Sequence, residues 1–68
     1  MSIEKVGKTI KSIRESKGIS QKDLSKRTGL SRGHISGIEN NKRVNNPTYN
    51  TLENIAFSLG VSVRSFFE

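Results

Sequence analysis

The stretch SQKDLSKRTGLSRGHISGIE, residues 20–39, decides the fold of this chain because it carries the signals for two short helices with a sharp turn between them. Ser20 is a good N-cap for a helix predicted over residues 21–28. Gly29 can end that helix because glycine adopts the left-handed conformation without steric strain. A second short helix, capped by Ser31, is predicted over residues 32–40.

The second of these helices has an apolar edge and a bare opposite face. Ile35 and Ile38 lie three residues apart and form the apolar edge. On a helical wheel the opposite face carries only small or uncharged residues, namely Gly33, Ser36, Gly37 and Asn40. A glycine in a helix interior costs about 1 kcal/mol relative to alanine. Because two glycines lie on this face despite that cost, we interpret it as a surface that a large partner approaches closely, rather than as the result of neutral variation.

The same residues resemble the helix-turn-helix of the Cro and phage-repressor type, the Xre-like family. The residues that match its pattern are Gln21, Leu24, Ser25, Gly29, Ile35 and Ile38. The resemblance continues through residues 10–18 and 46–62, so that it covers nearly the whole chain. It implies an all-α fold, a compact five-helix lambda-repressor-like DNA-binding domain formed by residues 1–68, with the helix-turn-helix in its second and third helices.

The rest of the chain contains signals for three more helices. Ser2 is the predicted cap of a first helix that ends near Lys17, and Thr48 is the predicted cap of a fourth helix over residues 49–59. Gly60 is predicted to end the fourth helix, and Ser62 is predicted to cap a short fifth helix. The apolar residues expected in the core of these helices are Ile3, Val6, Ile10, Ile13, Leu52, Ile55, Ala56, Leu59, Val63 and Phe66. The loop before the fourth helix is about two residues longer than the family pattern, with residues 44–45 (Val44 and Asn45) as the natural extras.

Length and composition exclude several classes of protein. The chain has 68 residues, of which 31% are apolar, and no cysteine. Its longest apolar run, residues 55–57, is far too short for a membrane span or a signal peptide. Without cysteine there are no disulfides and no thiolate metal sites. These observations predict one intracellular, cytoplasmic domain with no cofactor and no membrane partner.

The net charge of +6 is distributed unevenly along the sequence. Residues 1–43 contain eleven of the twelve cations and four acids, whereas residues 44–68 contain Arg64 against Glu53 and Glu68. The basic N-terminal part, here called the front, suits contact with a polyanion. The nearly neutral C-terminal part, here called the rear, suits contact with a protein partner. A solvated lysine surface is the alternative explanation. A membrane surface is less favoured, because no helix has a broad apolar face opposite its lysines.

The resemblance implies that the helix over residues 32–40 lies in the major groove of double-stranded DNA with its N-terminal end foremost. Arg32 is then the chief base-reading residue, because arginine pairs bidentately with guanine. A phosphate contact is the alternative role of Arg32. The candidate base-reading residues are Arg32, Gly33, Ser36 and Gly37. The candidate phosphate-binding residues are Gln21, Ser31, His34, Asn40, Lys42 and Arg43.

The resemblance also implies a structural ion pair between Arg14, near the end of the first helix, and Glu39, the acid that ends the third. Such a pair, partly buried, would tie the first helix to the helix that enters the groove. Two unrelated surface charges are the alternative.

A dimer interface is expected on the rear of the domain. One domain of this size covers too few base pairs for useful specificity against a genome. We therefore expect a homodimer on a pseudo-palindromic operator. Phe57 does not belong on the core face of its helix, so Phe57 and Phe67 are the candidate interface residues. The alternative is that the terminal phenylalanines only close the core.

The function that these observations favour is a sequence-specific transcription regulator, either a repressor or an activator with RNA polymerase as a further partner. The stretch HISGIE, residues 34–39, resembles the controller proteins of restriction–modification systems. An antitoxin-like module whose rear helices bind a protein partner is the alternative.

An enzyme has almost no support, because the sequence has no paired carboxylates, no cysteine–histidine pair and no phosphate-cradling glycine loop. His34 is the only histidine, which argues against a metal site or a catalytic site. RNA binding is disfavoured because the basic half lacks aromatic residues on which bases could stack.

Overall fold

A computed structural model describes residues 3–41 and 47–67 of the chain, and most of these residues are helical. In chain order the elements are α1 (Ile3–Ser16), α2 (Gln21–Thr28), α3 (Arg32–Glu39), α4 (Tyr49–Leu59) and a 3₁₀ helix (Val63–Phe66). No strand occurs in the described residues. The predicted bounds of α2 and α4 are confirmed, whereas α1 and α3 each end one residue earlier than predicted.

Some sequence predictions concern parts of the chain outside the described residues. These are the Ser2 cap, the side chain of Ile3 in the apolar stripe, the extra loop residues Val44 and Asn45, and the phosphate contacts of Lys42 and Arg43. Of the helices in residues 3–41 and 47–67, none has the length and apolar character needed to cross a membrane.

Side-chain hydroxyls start α2, α3 and α4, as predicted. Ser20, Ser31 and Thr48 have extended backbones, and the side-chain oxygen of each accepts a hydrogen bond from the backbone N–H three residues later, at 3.0, 3.0 and 3.1 Å. Asp23 completes a capping box at the start of α2. Each cap satisfies an N–H group that has no partner within the helix, which stabilises the helix by about 1 kcal/mol.

Glycines in the left-handed conformation end α2 and α4. Gly29 has a φ of 79° and Gly60 a φ of 73°. After Gly60 the backbone N–H of Val61 donates to the carbonyl of Ala56 at 3.0 Å, which closes the end of α4. Because Gly29 ends α2 so abruptly, only three residues separate α2 from α3.

The core lies between all four α-helices and the 3₁₀ helix. In the described residues its buried apolar side chains are Val6, Ile10, Ile19, Leu24, Ile35, Ile38, Leu52, Ile55, Ala56, Leu59 and Phe66. Ile13, Leu30, Val61, Val63 and Phe67 are partly buried against them. Full burial of one such aliphatic or aromatic side chain contributes about 1.5–3 kcal/mol. This core therefore supplies the stability that a chain without disulfides requires.

The predicted fifth α-helix is instead a 3₁₀ helix, so the described residues contain four α-helices rather than five. Ser62 caps it as predicted, with its Oγ accepting from the N–H of Arg64 at 3.2 Å. The backbone bonds from Ser65 to Ser62 and from Phe67 to Arg64, both 2.9 Å, each span three residues. A segment this short makes too few i to i−4 bonds to offset α-helix nucleation, so the tighter 3₁₀ form is favoured.

Polar side chains fix the turn between α2 and α3. The hydroxyl of Ser25 donates to the carbonyl of Leu30, and Oγ1 of Thr28 accepts from the N–H of Leu30 at 3.1 Å. These bonds satisfy both backbone groups of Leu30, whose side chain packs on the core. The direction in which α3 leaves α2 is therefore set by side chains of α2 itself.

Two hydrogen bonds join α2 to α4. Nδ2 of Asn54 donates to the carbonyl of Thr28 at 2.8 Å, and a guanidinium N–H of Arg27 donates to the carbonyl of Ser58 at 3.3 Å. Asn54 thus satisfies one of the carbonyls at the end of α2 that have no partner within the helix. Helix α2 of the helix-turn-helix is consequently in direct contact with α4.

Candidate nucleic-acid interface

The outward face of α3 is open at its N-terminal end. Arg32 and Gly33, its first two residues, are exposed, and no described atom outside the helix lies within 4 Å of the position that a Cβ on Gly33 would take. His34 and Ser36 are half-buried. The backbone at the start of α3 is therefore accessible to a large partner. Arg32, the first residue of the helix, adds a positively charged side chain at this open end.

The prediction that Gly37 belongs to this exposed face is wrong, because Gly37 is buried. A helical wheel assigns a direction to each side chain, but a glycine has no side chain. Its exposure depends only on whether the helix backbone is covered. The backbone is covered at Gly37, one turn after the open position of Gly33. We therefore remove Gly37 from the candidate base-reading residues.

Ser36 and Asn40 are hydrogen-bonded to each other one turn apart on α3. Nδ2 of Asn40 donates to Oγ of Ser36 at 3.2 Å. Asn40 is the C-cap of α3 and is exposed. The bond leaves the hydroxyl hydrogen of Ser36, the second N–H of Asn40 and its carbonyl oxygen available to a ligand. Both side chains therefore keep the groups that their predicted contacts with DNA require.

The predicted ion pair between Arg14 and Glu39 is present and is buried. Nε of Arg14 lies 2.7 Å from Oε2 of Glu39, and Nη2 lies 3.1 Å from Oε1, so the guanidinium binds both carboxylate oxygens. Nη1 donates to the backbone carbonyl of Ile19 at 2.7 Å. The two charged residues expose only 7% and 4% of their surface. One guanidinium thus joins α1, the segment before α2 and the end of α3.

The side-chain hydrogen bonds to Glu39 raise the pKa of Arg14, burial lowers it, and the net shift is upward. A raised pKa means that the folded chain holds this proton more tightly than the unfolded chain does. The resulting stabilisation is complete below the unfolded-state pKa and is lost only as pH rises through the folded-state pKa. For an arginine that window lies above the range in which proteins are studied. The guanidinium of Arg14 therefore keeps its charge at every ordinary pH.

Gln21 joins this pair through a contact that the sequence analysis missed. Its Nε2 donates to Oε1 of Glu39 at 3.0 Å. Because Gln21 is the first residue of α2, Glu39 ties the end of α3 to the start of α2. The side-chain amide of Gln21 keeps a second N–H and a carbonyl oxygen. The observed bond therefore orients Gln21 while leaving a donor for the predicted phosphate contact.

The other described phosphate-binding candidates lie on or beside α3. The hydroxyl of Ser31, the N-cap, accepts from the N–H of His34 and keeps its own hydrogen for a ligand. His34 follows in the first turn, and Asn40 lies at the opposite end of the helix. Helix N-termini attract anions through their free N–H groups. No group of three or more metal-ligating side chains capable of holding an ion occurs in the described part of the chain.

Gly7 of α1 makes a second contact with α3 that the sequence analysis missed. A Cβ on Gly7 would overlap the carbonyl oxygen of Ile38, and it would lie 2.6 Å from Oδ1 of Asn41 and 3.2 Å from the carbonyl oxygen of Glu39. Helix α1 can approach α3 this closely only because residue 7 has no side chain. The signal in the sequence was a glycine inside a helix, where alanine would be favoured by about 1 kcal/mol.

The rear of the domain presents exposed aromatic surface. Phe57 is 87% exposed and Tyr49 is 58% exposed, both on α4. The predicted exposure of Phe57 is therefore confirmed. Phe66 is fully buried and closes the core, whereas Phe67 is half-buried and packs against the core with only part of its surface free.

Comparisons with known proteins agree with this geometry. A family model described as helix-turn-helix, HTH_3, matches residues 10–66. The immunity repressor protein of Bacillus phage phi105 is 38% identical over 58 residues, which are 85% of this chain and 39% of the repressor. This chain therefore spans less than half the length of that relative.

Solved structures of restriction–modification controller proteins have the same fold. C.AhdI from Aeromonas hydrophila superposes with a TM-score of 0.88 at 29% identity, covering 96% of both chains. C.Esp1396I superposes with a TM-score of 0.84 at 46% identity, covering 96% of this chain and 82% of that one. A structure of C.Esp1396I shows its tetramer in complex with its natural 35 base-pair operator. These relatives are regulators and not enzymes, and with the family model matching residues 10–66, this chain belongs to the Xre-type helix-turn-helix family of DNA-binding regulators.

Proposed function

We propose that this chain is a sequence-specific transcription regulator that binds double-stranded DNA as a homodimer on a pseudo-palindromic operator. The observation that carries the proposal is the setting of α3. This helix is open at its N-terminal end, and at its C-terminal end Glu39 fixes it to both α1 and α2. Such a helix can enter the major groove, which admits one α-helix and displays a distinct pattern for each base pair.

Arg32 is the chief base-reading residue in this proposal. It is exposed at the first position of α3, the end that points into the groove in this class of motif. Its planar guanidinium can donate to O6 and N7 of one guanine. Gly33 allows the backbone to approach the base edges, and the hydroxyl of Ser36 supplies a further donor or acceptor.

Phosphate contacts hold the domain on either side of the groove. Gln21 at the start of α2, together with Ser31, His34 and Asn40 on or beside α3, has donors that reach outward in this proposal. The hydrogen bond from Gln21 to Glu39 supports this role because it holds the side chain in one orientation before DNA is bound. Contacts of this kind position a protein on DNA and make its affinity dependent on salt.

A second copy of the chain supplies the rest of the specificity. The domain measures 27 × 23 × 20 Å, which is less than one helical turn of DNA, about 34–36 Å. Copies with a charge of +6 repel one another least where the cations are few, and residues 44–68 have a balance of −1. Phe57, with part of Phe67, provides the apolar surface for that contact. C.Esp1396I, which binds its operator as a tetramer, supports self-association.

The test is selection of bound sequences from random duplex DNA, followed by titration at two salt concentrations. We expect an inverted-repeat consensus with half-sites about one helical turn apart. Affinity for the consensus should exceed that for a scrambled duplex by about a thousandfold or more. Each phosphate contact should add about −0.9 to the slope of log affinity against log salt. A pool that enriches no sequence would reject the proposal.

Phe57→Ser is expected to shift the monomer–dimer equilibrium toward monomer, because it removes the exposed aromatic ring from the proposed interface. Sedimentation equilibrium of both proteins measures the shift. Tyr49→Ser is the matched control, since it changes another exposed aromatic residue of α4 about 12 Å away along the helix. Equal dimerisation of wild type and Phe57→Ser would remove Phe57 from the interface.

The comparisons do not favour the antitoxin-like alternative, because the relatives described above are repressor and controller proteins. Within the proposed function, repression requires only that the bound dimer blocks a promoter. Activation requires in addition a contact with RNA polymerase. In either form the protein would act in the cytoplasm, where bacterial DNA is accessible.

A further inference from the structure

We propose that Gly7 is a positioning residue for α3. Its missing side chain sets how closely α1 holds the C-terminal end of α3, and thereby the angle at which α3 meets DNA. This inference rests on the proposed function, because it concerns the fit of α3 to a duplex. It assigns a role in sequence recognition to a residue that contacts neither a base nor a phosphate.

Helix α1 holds the end of α3 at two points. Arg14 binds the carboxylate of Glu39, and Gly7 lies against the backbone of Glu39 and of Ile38. Gly7 and Arg14 are seven residues apart, so they lie on one face of α1, two turns and about 10.5 Å from each other. The contact at Arg14 is electrostatic and the contact at Gly7 is steric. Together they fix the position and the orientation of α3 against α1.

Three oxygen atoms border the space that a Cβ on Gly7 would occupy. They are the carbonyl oxygens of Ile38 and Glu39 and Oδ1 of Asn41. Oδ1 of Asn41 is buried and has no hydrogen-bond partner within the described residues. Asn41 has a φ of 59°, in the left-handed region. A Cα hydrogen is a weak donor to oxygen, so a glycine suits this cluster, whereas a methyl group would not.

An alanine at residue 7 would displace the backbone of α3. The side chain of Asn41 could move aside, but the carbonyl oxygens of Ile38 and Glu39 belong to the helix itself. The end of α3 would shift away from α1 together with Glu39, which orients Gln21 at the start of α2. The side chains of α3 and Gln21 must contact the same duplex at the same time. A displacement of α3 would spoil this joint fit, since binding groups must be held within about 0.5 Å of their productive positions.

The test compares wild type and Gly7→Ala for affinity to the selected consensus duplex and to a scrambled duplex of equal length. Non-specific binding depends on the number of cations, which the substitution leaves unchanged. We expect the ratio of specific to non-specific affinity to fall by about tenfold or more, the size of losing one base contact. The two affinities are compared only under conditions where the variant is folded, because an unfolded chain with the same cations would still bind DNA non-specifically. Measurement at low temperature, with folding followed by circular dichroism, keeps the variant folded.

Val61→Ala is the control for stability, since it trims a partly buried side chain that follows α4 in the chain. Its ratio of specific to non-specific affinity should equal that of wild type, even if Val61→Ala lowers the unfolding temperature as much as Gly7→Ala does. An unchanged ratio in Gly7→Ala would overturn the inference, as would a variant that stays unfolded at low temperature, because Gly7 would then serve the whole fold. If the wild-type protein bound the consensus and the scrambled duplex with nearly equal affinity, that result would contradict the proposed function itself.

Discussion

Arg14→Met is expected to lower the free energy of unfolding by about 3–5 kcal/mol, because it leaves the carboxylate of Glu39 buried without its charge partner. Glu39 is only 4% exposed, and the amide of Gln21 would be its remaining side-chain donor. Domains have stabilities of about 0.05–0.15 kcal/mol per residue, so this loss is a large part of the total. Urea unfolding followed by circular dichroism at low temperature measures the change.

A matched control removes both charges at once. The double variant Arg14→Met/Glu39→Met should be clearly more stable than Arg14→Met alone, because two apolar side chains of similar length leave no buried charge. The two single variants and the double variant form a cycle that gives the coupling between the residues. A loss below about 1 kcal/mol in Arg14→Met would contradict the buried pair, since that is the range of exposed pairs.

Arg32→Ala is expected to abolish a guanine preference at one position in each half-site. The lost discrimination should be about 1–3 kcal/mol per half-site, because one bidentate contact to O6 and N7 disappears. The fold should be unaffected, since Arg32 is exposed. Repeating the selection from random duplexes with the variant shows the changed position directly, and titration against the wild-type consensus gives the energy.

Lys26→Ala provides the comparison for Arg32→Ala, because it removes the same charge from an exposed position of α2. This control should leave the consensus unchanged. If Arg32→Ala instead weakens binding to every sequence equally and lowers the salt slope by about one, Arg32 is a phosphate contact and not a base-reading residue.

The features that could be predicted from the sequence are those that depend on near neighbours. Ser20, Ser31 and Thr48 cap helices through an N–H three residues away, and Gly29 and Gly60 end helices through their own φ. These signals gave the bounds of α2 and α4 correctly. The pair of Arg14 and Glu39 spans 25 residues of sequence and was predicted only through the family resemblance.

The features that were missed depend on how helices approach each other. The bond from Gln21 to Glu39 and the contact of Gly7 with Ile38 join elements far apart in the chain, and the burial of Gly37 depends on how closely its backbone is covered. A glycine carries no periodic signal, so its surroundings cannot be inferred from a helical wheel. The 3₁₀ form of the last helix was missed for a different reason: its cap is the same for both kinds of helix, and only the length of the segment distinguishes them.

The direct hydrogen bonds between α2 and α4, from Asn54 to Thr28 and from Arg27 to Ser58, bear on the spacing of an operator. They join the helix-turn-helix directly to the helix that carries Phe57. In a dimer joined through Phe57, one extra base pair at the centre of the operator would move one half-site by about 3.4 Å and turn it by about 35°. Two regulators with this rigid arrangement could therefore recognise the same half-site sequence in one cell and still bind different operators, because the operators differ in the length of the spacer between half-sites.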